Sequence, residues 1–170
     1  GINIPTGKDS LSMTQKYDGD VVKAPGTVII SAAGEVTDVR KITEPVLKND
    51  PHSRLIHIDM SGEDFCLGGS SFGQTMNHLF DKAPSVKDPA CFAKAFNLVQ
   101  SLIEEGMVLA GHDISAGGMI TALLEMSFGN ENGGMEIDIT GFKTDTARVL
   151  FSENPGIIIQ VRNAERITGI

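Results

Sequence analysis

Cysteine is scarce: Cys66 and Cys91 are the only two among 170 residues. Two thiols so placed form neither a disulfide framework nor a set of metal ligands. Neither stands on the glycine-flanked elbow that exposes a nucleophilic thiol. Both have apolar neighbours, which reads as a pair of buried, unreactive thiols in a reducing compartment. Positive charge is also in short supply. Lys and Arg number 14 against 22 Asp and Glu, a formal charge of −8. Such a chain repels a phosphate backbone at long range, so nucleic acid is not an expected partner. A single nucleotide is not excluded, because a local nest of amides with a metal ion overrides net charge. No apolar run is long enough to cross a bilayer, and no membrane partner is expected. The first residues lack the basic and apolar stretches of a signal peptide, and no Met opens the chain. The expectation is a piece of a longer, cytoplasmic protein. Internal repeats and low-complexity stretches are absent too.

What is present is an ordinary globular balance, 41% hydrophobic and 21% charged, in a chain long enough for one domain with a proper core. Residues 1–24 are polar and turn-rich apart from Leu11-Ser12-Met13, and read as the tail of another unit. The run Val28-Ile29-Ile30-Ser31-Ala32-Ala33 predicts a buried strand. Residues 54–60 predict a second, with Asp59 near its end. After the small-residue loop Gly68-Gly69-Ser70-Ser71, Phe72, Met76, Leu79 and Phe80 have helical spacing. Asp88-Pro89 opens the clearest helix, with aspartate as cap and proline in the first turn. Its apolar stripe runs through Phe92, Phe96, Val99, Leu102 and Ile103, and Gly106 stops it. Residues 107–110 predict a strand, Met119, Ile120, Leu123 and Leu124 a core-facing helix, and the alternation over 135–139 a half-exposed strand. Val149-Leu150-Phe151 leads to a turn at Asn154-Pro155-Gly156. A strand over 157–161 and a helix from Asn163 complete the order. Alternating strands and helices predict an α+β fold, an α/β sandwich in which a mixed sheet is flanked by helices.

The strongest chemical signal is the strand–loop–helix over 107–128. A strand end delivers His112, Asp113 and Ser115, and Gly117-Gly118 lets the backbone turn tightly into a helix. Free amides and the helix dipole at such a start favour an anion. Asp113 offers a hard oxygen to a magnesium ion bridging a phosphate. Ser115 can cap the helix or donate to a phosphate oxygen. The plainer reading makes Ser115 only an N-cap, Asp113 a turn residue and the glycines steric punctuation. His112 reads as a packed or hydrogen-bonded histidine. Gly68, Gly69 and Ser70 form a second loop between strand and helix, able to cradle an anion by the same physics or to serve as a tight capped turn. Gly7-Lys8-Asp9-Ser10 is not a phosphate loop of the Walker type, for it lacks the upstream glycine and has Asp after Lys. Asp59 and Glu153 lie beside strand ends, where both site carboxylates and solvated ones sit, and Glu125, on the helix after Ser115, faces either a site or solvent, with solvent the plainer reading. His52, His57 and His78 have no ligand spacing.

Several segments together resemble the large, single-chain phosphoribosylformylglycinamidine synthase family. They are Ile4-Pro5-Thr6-Gly7-Lys8-Asp9-Ser10-Leu11-Ser12-Met13, Val28-Ile29-Ile30-Ser31-Ala32 and Val36-Thr37-Asp38-Val39-Arg40. Leu67-Gly68-Gly69-Ser70 follows. The most specific is Gly111-His112-Asp113-Ile114-Ser115-Ala116-Gly117-Gly118, with Leu124-Glu125-Met126 behind it. The order and gaps are family-like over nearly the whole chain, to about Val161.

The resemblance implies an ATP- and glutamine-dependent ligase of purine biosynthesis. Such an enzyme converts formylglycinamide ribonucleotide, glutamine and ATP to formylglycinamidine ribonucleotide, glutamate, ADP and phosphate. It implies two tandem ATP-binding units like aminoimidazole ribonucleotide (AIR) synthetase, each a barrel-forming part followed by an α–β sandwich part, and a glutaminase domain downstream. On that pattern residues 1–24 are the end of the second barrel part, and 25–170 an AIR synthetase-like C-terminal domain, truncated at its end. The partners implied are the barrel and glutaminase domains of the same polypeptide. The cofactors implied are Mg²⁺ and ATP or ADP, with Asp113 on the metal and Ser115 on the nucleotide; the loop physics above places Gly117, Gly118, Gly68, Gly69 and Ser70 about that nucleotide. No residue here is assigned a catalytic role. The nucleotide site of the second copy resembles an auxiliary one, the metal's other ligands belong to the barrel part, and the isolated piece is expected to be inactive. Ala116 stands where the commoner motif has an acidic residue. Two other readings remain: a structural scaffold whose loops pack against neighbouring domains, and another enzyme of the AIR synthetase superfamily. The string Gly7-Lys8-Asp9-Ser10-Leu11-Ser12-Met13 goes with the amidotransferase instead.

Overall fold

A computed structural model describes residues 3–7, 13–24, 26, 28–80, 82–162 and 164–168. It separates into two units, Gly1–Thr37 and Asp38–Ile170. In the first, β1 (Thr14–Lys16) pairs antiparallel with β2 (Val21–Lys23), Thr14 opposite Lys23. Tyr17 and Asp20 close the hairpin by exchanging backbone hydrogen bonds at 2.9 and 3.1 Å, with Gly19 at φ +96°. The expectation of a buried strand over 28–33 fails. That stretch has no regular structure, and Val28, Ile29 and Ile30 are 84%, 87% and 82% exposed. An apolar run is a strand only beside a partner that takes its N–H and C=O groups, and none of the described strands pairs with it. Lys8 to Ser12, the centre of the Gly7–Met13 motif, lies outside the described residues, as does Asn163.

The second unit opens with a 3-10 turn, Val39–Lys41, whose Arg40 N–H is accepted by the Asp38 carboxylate. In chain order there follow β3 (Arg54–Asp59), α1 (Ser71–Thr75), α2 (Pro89–Glu104), β4 (Val108–Ile114), α3 (Gly118–Phe128), α4 (Thr146–Phe151), β5 (Gly156–Val161) and α5 (Ala164–Thr168). The strands form one sheet in the order β3-β5-β4, with all pairings antiparallel. Register runs from Arg54 opposite Val161 to Asp59 opposite Gly156, and from Val108 opposite Val161 to Ile114 opposite Gly156, with an irregularity between Val108 and Ala110.

Side-chain alternation along β5 splits the core in two. Ile158 joins Ala110, Ile114, Met119, Leu123, Met126 and Val149 on one face, while Ile159 and Val161 join Leu102 and Ile167 on the other. Helices therefore cover both faces, α3 with α4 and α2 with α5. The α+β architecture is the expected one. Met126 has no exposed surface, so truncation to Ala there costs about 2–5 kcal/mol.

Helix α2 forms for the reasons its sequence gives. Asp88 Oδ1 accepts the N–H groups of Ala90 and Cys91 at 2.9 and 3.1 Å, Pro89 takes the first turn, and Gly106 leaves the helix at φ +69°. Cys66 is buried as expected, but Cys91 is exposed. It lies one position before Phe92, about 100° round the helix from the apolar stripe.

Other expectations need correction. The helix over 72–80 ends at Thr75: Asn77 adopts φ +51°, and His78 N–H turns back to Gly73 O at 2.8 Å. Met76 and Leu79, placed on its buried side, are 62% and 85% exposed. The strand foreseen over 107–110 continues to Ile114, so His112 and Asp113 belong to the sheet. Residues 135–139 form no strand; Met135 and Ile139 pack on the core from an irregular segment. Residues 146–151 are a helix, capped by Asp145 accepting from Arg148 N at 3.0 Å.

Candidate functional site

Strand β4 carries His112 and Asp113 to its C-terminal end, where they stand opposite Ile158 and Ile157 of β5. Alternation turns the neighbouring Ile114 into the core, and leaves the Asp113 side chain 71% exposed. His112 Nδ1 lies 2.8 Å from the carbonyl oxygen of Asp113, and its Nε2 lies 3.2 Å from Glu125 Oε2 on α3. His112 is thus a hydrogen-bonded histidine through Nδ1, and its other ring nitrogen faces the Glu125 carboxylate.

Past the strand, Ser115 and Ala116 are exposed. The carbonyl of Ser115 accepts the Gly118 N–H at 3.0 Å, closing a turn that requires two successive left-handed residues, Gly117 at φ +87° and Gly118 at φ +75°. The N-cap of α3 is Gly117, which has no side chain to cap with; the expectation of Ser115 in that role fails by two positions. Gly118 has a packing reason as well. A Cβ there would lie 2.7 Å from the Leu150 carbonyl oxygen, so the start of α3 touches the backbone of α4.

The second loop is built in a similar way. Gly69 turns at φ +72°, and Gly68 donates its N–H to Lys82 O at 2.7 Å. A Cβ on Gly68 would run into the Lys82 backbone. Ser70 is buried. Its hydroxyl donates to Leu67 O at 2.7 Å and accepts the Gly73 N–H at 3.1 Å, so it caps α1.

The two loops meet at one atom. Glu153 Oε1 accepts the Ser71 N–H at 2.7 Å and the Gly117 N–H at 2.8 Å. Glu153 follows α4 and is half-buried. Helix starts favour negative charge, and here a carboxylate of the chain supplies it to both. Sequence reasoning named Glu153 without a role, because its partners lie 82 and 36 residues away and leave no local pattern. Of the predicted nucleotide-site residues, then, Gly68, Ser70, Gly117 and Gly118 carry structural duties. Ser115 and Gly69 are the exposed ones, and Asp113 faces outward beside Ser115. Among the described residues no group of three or more His, Cys, Asp or Glu side chains is arranged to hold a metal. Asp113 is a solvent-facing carboxylate that no such group among the described residues completes into a metal site.

An open cleft of about 1230 Å³ lies elsewhere on this unit, and its walls include Leu55, His57, Leu123, Met135, Phe142 and Ile158. None of the predicted site residues lines it. His57 sits there against the Phe65–Phe142 pair, with ring centroids 6.2 and 6.1 Å away and the two phenyl rings 5.6 Å from each other. Burial holds its pKa below the ordinary histidine value, against the opposing pull of Asp59.

Two helical layers on a three-stranded antiparallel sheet, with glycine-tight loops joined by a buried-edge carboxylate, define an α+β sandwich domain. Residues 53–168 match the family described as AIR synthase related protein, C-terminal domain, and the chain belongs to that family. It is 38% identical over 182 residues to the probable phosphoribosylformylglycinamidine synthase of Caenorhabditis elegans, a match covering all of this chain and 14% of that protein. It is 33% identical over 166 residues to the phosphoribosylformylglycinamidine synthase of Homo sapiens, covering 97% of this chain and 12% of the relative. A third relative, the probable chloroplastic/mitochondrial enzyme of that name from Arabidopsis thaliana, is 39% identical over 162 residues, covering 95% and 11%. The chain therefore spans between 11% and 14% of the length of these relatives. In fold it is similar to the solved structure of PurLQS from Thermotoga maritima, with a TM-score of 0.50 over 76% of this chain and 21% of that one, at 16% identity. No helix among the described residues is long and apolar enough to cross a membrane.

Proposed function

We propose that this chain works as one region of a phosphoribosylformylglycinamidine synthase, in the second AIR synthetase-like C-terminal position. That enzyme converts formylglycinamide ribonucleotide, glutamine and ATP to formylglycinamidine ribonucleotide, glutamate, ADP and phosphate, with water consumed in releasing ammonia from glutamine. The observation that carries this reading is likeness over 95–100% of the chain to proteins so named. The partners are the barrel and glutaminase domains of the same polypeptide, and the compartment is the cytoplasm.

Within that enzyme the chain contributes part of an auxiliary Mg-nucleotide site. Asp113 supplies one hard oxygen to Mg²⁺, and Ser115 a hydroxyl to the nucleotide. Gly68, Gly69, Ser70, Gly117 and Gly118 shape the loops around it. Magnesium there neutralises phosphate charge. The chain's own residues hold and orient, and none acts as general base. The test is Mg-ADP titration of the full-length protein by calorimetry, comparing wild type with Asp113→Ala and Ser115→Ala. Asp113→Ala is expected to weaken binding by roughly tenfold or more, and Ser115→Ala by less. Equal affinity in wild type and Asp113→Ala defeats the metal-ligand role.

One observation favours the scaffold reading: the Gly117 and Ser71 amides are already taken up by Glu153. On that reading the loops serve packing, and neither variant changes nucleotide affinity.

A further inference from the structure

We propose that Glu153 is a positioning residue that couples the two glycine-rich loops, so that loss of its carboxylate loosens both. One carboxylate oxygen accepts from Ser71 N–H, the first residue of α1, and from Gly117 N–H, the N-cap of α3. These donors stand 46 positions apart in the chain, and no other described side chain bonds to both. The geometry around the clamp leaves little slack. On one side, Ser70 is fixed by its bonds to Leu67 and Gly73, and Gly68 by Lys82. On the other, the turn at Gly117 and Gly118 is fixed by the Ser115 carbonyl and by close approach to Leu150 and Phe151.

Glu153 directly follows that same α4 helix, separated only by Ser152. The oxygen therefore sits where a rigid α4–β5 corner, one left-handed glycine turn and one capped helix start converge. The charge suits the place, since an anion at helix starts is favoured and a neutral acceptor does less. The exposed Ser115, two residues before Gly117, is tied to the Gly68–Ser70 loop through this atom, while Asp113 is placed by its pairing with Ile157 in the sheet. The functional consequence for nucleotide affinity rests on the reading proposed above; the clamp itself does not.

The test compares Glu153→Ala, Glu153→Gln and Asp88→Ala in the full-length protein. Asp88→Ala removes the α2 cap, whose bonds go to Ala90 and Cys91 and to neither loop, and controls for a general loss of stability. Hydrogen exchange is read by mass spectrometry on peptides covering 67–75 and 113–120. Glu153→Ala is expected to speed exchange at both loops by roughly tenfold relative to Asp88→Ala. Glu153→Gln, which keeps an oxygen acceptor, restores most of the protection and guards against a variant that fails to fold. Faster exchange at only one loop, at neither, or equally in Asp88→Ala overturns the clamp. Mg-ADP titration of the same proteins gives the second readout. A loss of affinity in Glu153→Ala but not in Asp88→Ala, with recovery in Glu153→Gln, supports positioning; no such split limits Glu153 to packing and overturns the positioning role. If wild type binds no Mg-ADP, the nucleotide reading falls, while the exchange result still decides the clamp.

Discussion

The side chain of Gln160 mimics a strand partner for Lys48: its Oε1 accepts the Lys48 N–H at 2.8 Å, and its Nε2 donates to the Lys48 carbonyl at 2.8 Å. The same Nε2 donates to Ser53 Oγ at 2.8 Å. Gln160 is a polar residue in the central strand, only 4% exposed, and it pins the segment that leads into β3. Gln160→Leu keeps the volume but leaves these groups unpaired. The expected cost is about 1–3 kcal/mol, read as a lower midpoint in urea unfolding with an unchanged slope. A midpoint equal to wild type would show that water replaces the glutamine at no cost.

Much of this architecture can be read from sequence wherever the cause is local. Asp88-Pro89 and Gly106 bracket α2 because a cap, a fixed φ and a left-handed stop are properties of single residues. β3 and β5 were legible from their apolar, β-branched runs. The glycine pairs marked the turns before α1 and α3, where Gly69, Gly117 and Gly118 are left-handed and Gly68 packs on the Lys82 backbone. Where partners decide, the sequence was silent or misleading. Val28-Ile29-Ile30 has strand composition but no described partner. The alternation over 135–139 packs Met135 and Ile139 inward without a ladder. Glu153 was visible as a carboxylate near a strand, and nothing in its neighbours announced the two amides it holds.

Gly118→Ala is expected to damage the α3–α4 junction. Its left-handed φ of +75° disfavours any Cβ, and that Cβ would lie 2.7 Å from the Leu150 carbonyl oxygen and from the Phe151 carbonyl carbon. Left-handed strain of about 1–2 kcal/mol adds to overpacking of about 1–3 kcal/mol. Backbone atoms cannot step aside as a side-chain tip can, so the loss is expected near the sum. Gly69→Ala is the useful contrast: its φ is +72°, but nothing lies near the added Cβ. It should lose the strain alone, and thermal unfolding of the pair separates the two contributions. Similar midpoints for both variants contradict the packing argument.

Asn154 has all of its amide chemistry in use. Oδ1 accepts from Cys66 N at 3.0 Å and from Ser152 Oγ at 3.1 Å, while Nδ2 donates to Ser61 Oγ and to Asp64 O, each at 3.1 Å. The residue is 4% exposed, so it ties the start of β5 to the loop after β3 where water cannot substitute. Asn154→Leu removes four bonds at once and strands buried partners, for an expected loss of about 2–4 kcal/mol. Asn154→Asp keeps the two acceptor contacts but turns a buried carboxylate oxygen toward the Asp64 carbonyl and Ser61 Oγ in place of two donations. It should lose stability at neutral pH and recover part of it as pH falls and the carboxyl protonates, and a loss in denaturant titration that is independent of pH goes against this account.

His57 gives the domain an acid-side weakness. Its ring packs against Phe65 and Phe142, and burial lowers its pKa from the ordinary 6.5. The unfolded chain, with the higher pKa, binds the proton first as pH falls. Stability from this group is therefore fully present above about pH 6.5 and is lost as pH drops below that value toward the lowered folded pKa, with a slope of at most about 1.4 kcal/mol per pH unit. Asp59 nearby limits the shift, because its charge favours the protonated ring. His57→Phe keeps an aromatic surface against both neighbours and cannot titrate. Urea midpoints followed from neutral pH downward should fall more steeply for wild type than for His57→Phe, and parallel curves would mean that the imidazole is as easily protonated in the folded state as in the unfolded one.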